Sequence, residues 1–264
     1  MDKIRVQVIF HAAAYKHVPL MEANPCEAVK VNALASHNLG LLAVNYAVER
    51  FVFVSTDKAV NPTNVMGASK RLGELLLRSL KGNTVFIATR FGNVLGSNGS
   101  VIPHFKKQIE RGGPVTITHP EITRYFMTIP EACSLVLEAG TMGTDRETYV
   151  FDMGDSVRIV DLAKNMIRLY GLTPDKDIKI IYTGLRPGEK LYEETLATGE
   201  HIKQTHHPKI HIYEDESISN RNFANAISEL AALINSNDNY RLVERVKQLV
   251  PEYKSNNSEF SKLD

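Results

Sequence analysis

Residues 51–70 read Phe-Val-Phe-Val-Ser-Thr-Asp-Lys-Ala-Val-Asn-Pro-Thr-Asn-Val-Met-Gly-Ala-Ser-Lys. Two hydroxyls, a carboxyl and an amine (Ser55, Thr56, Asp57 and Lys58) stand directly after an apolar, β-branched and aromatic run. Such a run is typical of a buried parallel strand. In open α/β sheets, ligands bind just beyond the carboxyl ends of the strands. The four residues therefore form a candidate reaction centre. The alternative is a polar loop with Asp57 and Lys58 solvated, the ordinary fate of loop residues. Asn61-Pro62 breaks the chain, and a helix expected from Val65 returns Lys70 toward the strand end.

The elements around this stretch alternate. Val6–Phe10 reads as a strand running into Ala12, Ala13 and Ala14, small residues that admit either a flat cofactor or a packed helix. Asn24-Pro25 reads as a cap and first turn. Helical apolar spacing continues to about Tyr46, with Asn32 inside it, either facing solvent or holding a neighbouring loop. Further strands are expected over Phe51–Val54, Val85–Ala88, Val115–Thr118, Thr148–Asp152 and Ile178–Tyr182. Helices are expected over Val65–Ser79, Val101–Arg111, Ile129–Ala139, Ile159–Tyr170 (capped by Ser156), 189–196, Arg221–Ser236 and Asn239–Leu249. Gly96–Ser100 is a glycine-rich loop that could offer N–H groups to an anion or simply turn the chain. The fold class is α/β, a Rossmann-type parallel sheet covered on both faces. The expected division is residues 1–170 for this domain, with 96–127 contributing to a substrate lobe, 171–250 for that smaller lobe, and 251–264 as a flexible tail.

Composition narrows the function classes. The 264 residues carry 31 Lys and Arg against 30 Asp and Glu, a net charge of +1. That balance argues against nucleic-acid binding driven by charge. Cys26 and Cys133 form neither a metal spacing nor a disulfide framework. His206, His207 and His211 have no partners at convincing metal spacing, so no metal is expected. No signal peptide and no bilayer-spanning apolar run is apparent, so a cytoplasmic, soluble chain is expected.

Five motifs occur in order: His11-Ala-Ala-Ala-Tyr-Lys-His-Val-Pro, Ser55-Thr-Asp-Lys, Met66-x-x-x-Lys70, Arg90-Phe-Gly-Asn-Val and Arg186-Pro-Gly-Glu-Lys-Leu. Together, over residues 5–215, they resemble the nucleotide-sugar 4,6-dehydratases of the extended short-chain dehydrogenase/reductases. The polysaccharide-biosynthesis branch acting on UDP-N-acetylglucosamine is the nearest in appearance. The resemblance implies NADP or NAD as cofactor, a UDP-sugar substrate and a homo-oligomer. In the implied reaction the cofactor takes a hydride from sugar C4, the C5 proton is removed, water leaves from C6, and the hydride returns to C6. Lys58 as base would have to be neutral and Asp57 as acid protonated, which demands pKa shifts in opposite directions.

Residue by residue, the resemblance makes Thr56, Asp57, Lys58, Met66 and Lys70 catalytic. Ala12, Ala13, His17, Asn32, Ser55, Lys70 and Val94 would border the cofactor. Lys16, Asn93, Ser100, Val101, Thr116, Thr118, Arg124, Arg186 and Glu189 would hold the sugar nucleotide, the arginines because guanidinium pairs bidentately with phosphate oxygens. Two departures stand out. Met66 occupies the position where the superfamily usually has Tyr, so proton removal at the C4 hydroxyl passes to Asp57, Thr56 or water, unless oxidation is lost. The Gly-x-Gly-x-x-Gly fingerprint is absent, which implies that the chain is the carboxyl-terminal part of a longer protein, one that can carry an amino-terminal membrane region, and that it leaves a sheet edge open. The competing readings are a UDP-sugar epimerase, a C5-inverting dehydratase, and a non-catalytic remnant.

Overall fold

The architecture, taken from a computed structural model, is described for residues 5–194, 201–214 and 223–264. Its centre is a six-stranded sheet. The strands are β1 (Val8–His11), β2 (Arg50–Val54), β3 (Val85–Arg90), β5 (Thr148–Phe151), β7 (Ile210–Glu214) and β6 (His201–Gln204), in that spatial order. The first four are mutually parallel, whereas β7 runs antiparallel to β5 and β6 antiparallel to β7. Period-two alternation divides the strands between two faces. Phe51, Phe53, Phe86 and Ala88 meet Ala43, Leu77 and Leu80 from α3 (Ser36–Asn45) and α4 (Val65–Ser79) with its C-cap. On the opposite face, Val52, Ile87, Tyr149 and Phe151 meet Ala132, Leu135 and Ala139 of α6 (Ile129–Met142). The parallel, doubly covered sheet expected from the sequence is therefore present.

The chain from His17 to Tyr46 is more divided than its periodicity indicates. It forms α1 (Val18–Ala23), α2 (Pro25–Val29), a π-helical stretch Lys30–Ala35, and then α3. Asn24 does not cap α2 with its side chain; its Nδ2 donates instead to Leu20 O at 2.9 Å. The π stretch, a form that recurs at functional sites, brings the Asn32 carbonyl within 2.6 Å of where a Cβ on Gly73 would lie. Glycine at that place is what lets α4 approach so closely.

The division into lobes also differs from expectation. The smaller lobe has its own core: Phe105 and Ile109 of α5 (Val101–Glu110), Val115 and Ile117 of β4 (Val115–Ile117), Ile122, Ile159, Val160, Ala163 and Ile167 of α7 (Ile159–Leu169) and its flank, and Ile178. The chain leaves the sheet for it twice, after β3 and after β5. Residues beyond 200 return to the sheet and to its helical layer. α8 (Ala224–Asn235) and α9 (Asn239–Leu249) pack with α2 and α4 around Leu72, Leu75, Leu230, Leu242 and Val246, so they are not part of the smaller lobe. Arg158, whose side chain makes no capping bond but donates to Asp161 Oδ2 at 2.7 Å, occupies the cap position of α7 that the sequence assigned to Ser156. No helix forms over residues 189–194, and 195–196 lie outside the described residues.

The tail is the clearest correction. Residues 251–264 do not fray. Tyr253 and Phe260 are buried, and Glu259–Leu263 forms a 3-10 turn capped by Ser258. Polarity had signalled solvent, but the two aromatic rings in the segment are what anchor it.

Candidate active site

The carboxyl ends of β2 and β3 define the site. The Ser55 N–H donates to Thr89 O at 2.7 Å and the Asp57 N–H to Phe91 O at 3.1 Å, so the two strand exits stay paired past the sheet. Residues 57–59 make one 3-10 turn, whose cap is Thr56. α4 starts at Asn64, which accepts from the Gly67 N–H at 2.8 Å through its side chain. A Cβ on Gly67 would stand 2.1 Å from the Lys58 carbonyl oxygen. Only glycine allows the first turn of α4 to seat the Asp57–Lys58 turn in this way.

Asp57 and Lys58 are not solvated. The Asp57 side chain is 1 % exposed and that of Lys58 16 %. Asp57 Oδ1 accepts from Thr56 Oγ1 at 2.8 Å and from Lys58 Nζ at 3.0 Å. Its Oδ2 is buried without a hydrogen-bond partner among the described residues, facing Gly92. Lys58 Nζ lies 3.4 Å from Glu193 Oε1, which is also 3.5 Å from Arg124 Nε. Burial pushes the Asp57 carboxyl up, with repulsion from Glu193 adding to it and the Lys58 charge opposing it. Burial pulls Lys58 down, but the carboxylates of Asp57 and Glu193 outweigh it and leave the ammonium raised. Glu193, buried too, is nonetheless lowered by Lys58 and Arg124. Asp57 thus has the shift expected of an acid. Lys58 does not have the depressed pKa expected of a resting base, because Glu193 supplies it with a second counter-charge. Glu193 carried no signal in the sequence: it follows the Arg186-Pro-Gly-Glu motif, where a helix was expected.

Lys70 arrives from α4. Its Nζ donates to Val54 O at 2.6 Å and sits 3.8 Å from the Phe53 ring centroid. Burial lowers its pKa to about 7, against the attraction of Glu74. Met66, one turn earlier, is 3 % exposed and packs in the helical core with Val65 and Leu72. The Ser55 hydroxyl is committed elsewhere, donating to Glu74 Oε1 at 2.6 Å. Glu74 also takes two bonds from Arg90, at 2.9 and 2.6 Å, and one from Arg71 at 3.2 Å. These positive partners overcome burial and hold Glu74 at about 2.

The residues expected around a cofactor fall into two groups. Asn32 does not face solvent: its amide bonds Tyr15 N–H and C=O at 2.8 and 2.9 Å, and Ser69 Oγ at 3.0 Å. It thereby fixes the loop of Ala12, Ala13 and Lys16, whose side chains are exposed. His17 lies under the glycine-rich loop, against the position a Cβ on Gly99 would take. Val94 pairs with Met127 beside this loop.

Apart from Lys16, which lies on the loop after β1, the residues expected to hold a sugar nucleotide lie on or beside the smaller lobe. Asn93 Nδ2 donates to Tyr125 O at 3.2 Å, and the buried Ser100 hydroxyl precedes Val101 at the start of α5 without a hydrogen-bond partner among the described residues. Thr116 is held by Gln108 through its N–H at 3.1 Å and its hydroxyl at 2.7 Å. The Thr118 hydroxyl, Arg124 and Arg186 all converge on Glu189 Oε1, at 3.2, 3.5 and 3.2 Å. Gly188, at φ +75°, makes the turn that aims Glu189; a Cβ there would meet Asn64 Cβ at 2.5 Å. No group of three His, Cys, Asp or Glu residues among those described could hold a metal ion.

A doubly covered parallel sheet with an acid–amine pair at a strand exit and a returning helix lysine defines a Rossmann-type α/β chain with its candidate site at the strand ends. The profile of the polysaccharide biosynthesis protein family matches residues 1–215, and the chain belongs to that family. The probable polysaccharide biosynthesis protein EpsC of Bacillus subtilis is 56% identical over 214 residues, which is 80% of this chain and 36% of EpsC. A UDP-glucose 4-epimerase of Rickettsia canadensis is 40% identical over 204 residues, 75% of this chain and 58% of that enzyme. Among solved structures, Pen from Bacillus thuringiensis superimposes with a TM-score of 0.74 at 33% identity, over 88% of this chain and 76% of Pen. The chain therefore spans about a third of the length of EpsC. No described helix is long and apolar enough to cross a membrane.

Proposed function

We propose that this chain carries the proton-handling and sugar-nucleotide-binding part of an NAD(P)-dependent nucleotide-sugar 4,6-dehydratase acting on UDP-N-acetylglucosamine or a close UDP-N-acetylhexosamine. The observation that carries this reading is the buried Asp57–Lys58 pair, with an unpartnered Asp57 oxygen and a second carboxylate, Glu193, on the same amine. Removing water across adjacent carbons needs one group to take a proton and another to give one. Asp57, raised by burial, is the donor. Lys58 becomes the base after giving its ammonium proton to solvent, a loss that the carboxylates of Asp57 and Glu193 oppose. Thr56, bonded to Asp57, orients the carboxyl toward a sugar hydroxyl.

The residues present fit the nicotinamide side of a dinucleotide. Lys70 has spare donors beyond its carbonyl bond to Val54 and would hold the ribose, the exposed alanines beside Asn32 would admit a flat ring, and His17 and Val94 would border it. Such a cofactor supplies hydride acceptance and return. The pyrophosphate-binding glycine loop is not among these residues. On the substrate side, Arg124 and Arg186 would exchange Glu189 for diphosphate oxygens, leaving Glu189 to accept from a ribose hydroxyl. Ser100 and Val101 suit a phosphate, and Thr116 and Thr118 flank the base.

A second reading is an epimerase, favoured by the relative of that name. Epimerisation at C4 needs no acid–base pair at C5 and C6, so Asp57-Lys58 favours dehydration. The test is incubation with UDP-N-acetylglucosamine and NAD+ or NADP+, followed by mass analysis. Loss of one water from the sugar nucleotide, abolished by Lys58→Ala, is expected. Isomerised sugar of unchanged mass would favour the epimerase. Silence in an amino-terminally extended form as well would leave the remnant reading.

A further inference from the structure

Residues 254–258 lie beyond the stretch matched by the family profile, and nothing in the motif reading gives them a role. They run between two loops of the site. On one side, Lys254 N–H donates to Pro62 O at 3.0 Å and Asn256 N–H to Thr63 O at 3.1 Å. These residues connect the Asp57–Lys58 turn to α4. On the other side, Gly188 N–H donates to Asn256 O at 2.7 Å. Asn256 Nδ2 donates to Glu189 O at 3.0 Å and Asn257 Nδ2 to Leu185 O at 3.0 Å. Beyond them, Ser258 Oγ donates at 2.7 Å to Glu22, whose other oxygen accepts from the Val65 N–H at 2.5 Å. Buried Phe260 and Tyr253 pin the segment at both ends.

We infer that residues 254–258 are a positioning strap, with Asn256 as the residue that fixes the Arg186–Glu189 turn relative to the Asp57–Lys58 turn. The geometry is specific. Asn256 uses its N–H, its C=O and its side-chain amide at once, so one residue spans both loops. Gly188, the left-handed turn residue that aims Glu189, has its N–H held by Asn256 and its C=O held by Thr63 Oγ1 and Asn64 Nδ2, both at 3.0 Å. The strap therefore helps to set the distance between the proton-handling end of the site and the arginine–glutamate end, beside the direct bonds of Lys190 Nζ to Val60 O at 3.0 Å and of Asn61 Nδ2 to Glu194 at 2.9 Å. A ligand that must reach both, with a sugar at one end and a diphosphate at the other, is selected for that length. This inference rests on the sugar-nucleotide reading for the identity of the ligand, but not for the mechanics.

Asn256→Ala and Ser258→Ala separate positioning from folding, because Ser258 anchors the same segment without touching the turn. The expected result is a UDP dissociation constant about tenfold weaker in Asn256→Ala, a higher KM with a smaller change in kcat, and near-unchanged UDP binding in Ser258→Ala. Amide exchange across residues 185–189 is expected to quicken at least tenfold in Asn256→Ala, with exchange in α3 and α6 unchanged. Asn256→Gln, which keeps an amide donor, is expected to recover part of the affinity. Unaltered exchange at 185–189 overturns the inference whatever UDP does, as does a loss of UDP binding that is equal in the two alanine variants. If the unsubstituted protein binds no UDP, the sugar-nucleotide reading fails, and the exchange comparison still decides whether Asn256 positions the turn.

Discussion

At the scale of single residues, the site is a contest over one ammonium group. Lys58 has two carboxylates within reach, and the one that is lowered, Glu193, leaves the raised one, Asp57, free to hold a proton. Replacing Glu193 by Gln removes the repulsion that helps raise Asp57. Asp57 should then ionise as the sole counter-charge of Lys58. The expected outcome is a kcat lower by about 10²-fold or more, with the limb of the pH–rate profile that requires protonated Asp57 displaced to lower pH. Lys70 gives a second prediction. Its pKa is lowered to about 7 from 10.5, so the unfolded chain binds the extra proton between those values and stability rises with pH across that window. Lys70→Met should erase this slope, and its stability relative to the unsubstituted protein should be most favourable near neutral or lower pH. Thermal melts from about pH 6 to about pH 10 would measure it. Asp57 and Lys58 were legible in the sequence because they are adjacent to each other and to a strand. Glu193 was not, because it reaches the pair from across the fold.

At the scale of elements, what matters is how closely backbones can approach. α4 has the bounds expected from the sequence, Val65–Ser79, because the Asn61-Pro62 break and the apolar spacing of its leucines agree. Its packing was not legible: Gly67 and Gly73 look like poor helix formers, yet both stand where another backbone carbonyl, of Lys58 and of Asn32, comes within van der Waals range. Gly67→Ala should therefore be worse than neutral despite alanine's better helix propensity. Relieving a contact of this kind costs typically about 1–3 kcal/mol and must shift the Lys58 turn. Denaturant melts should show the lost stability, and turnover should fall beyond the loss of folded protein. The π stretch at Lys30–Ala35 was hidden for the opposite reason. Its apolar residues keep a helical rhythm, and the bonds of Asn32 to Tyr15 and Ser69 from within it are made to residues distant in sequence.

For the whole molecule, the sheet's parallel half and its helical cover followed from alternation of strands and helices. The return of β6 and β7 to the same sheet and the docking of α8, α9 and the tail did not. Those associations depend on surfaces that meet only after folding. Glu74 shows how such associations hold together: it joins α4 to β2 and β3, while Arg71 passes the connection to Glu252 at 2.7 Å. Its pKa of about 2, below the ordinary 4.5, means that the stability it supplies is complete above the unfolded value and is lost as pH falls from there toward 2. Glu74→Gln leaves Arg90 buried without its counter-charge and should destabilise by about 3–5 kcal/mol, removing that acid transition from the stability profile. The strap has a consequence for biosynthesis. Ser258 and Glu22 are 236 positions apart in sequence, and Asn256 and Glu189 are 67 apart. Contacts this distant form late. A nascent chain emerging from the ribosome can assemble β1 to β3 and much of their cover first. It must wait for residues 254–258 before the two ends of the site are brought to their working separation.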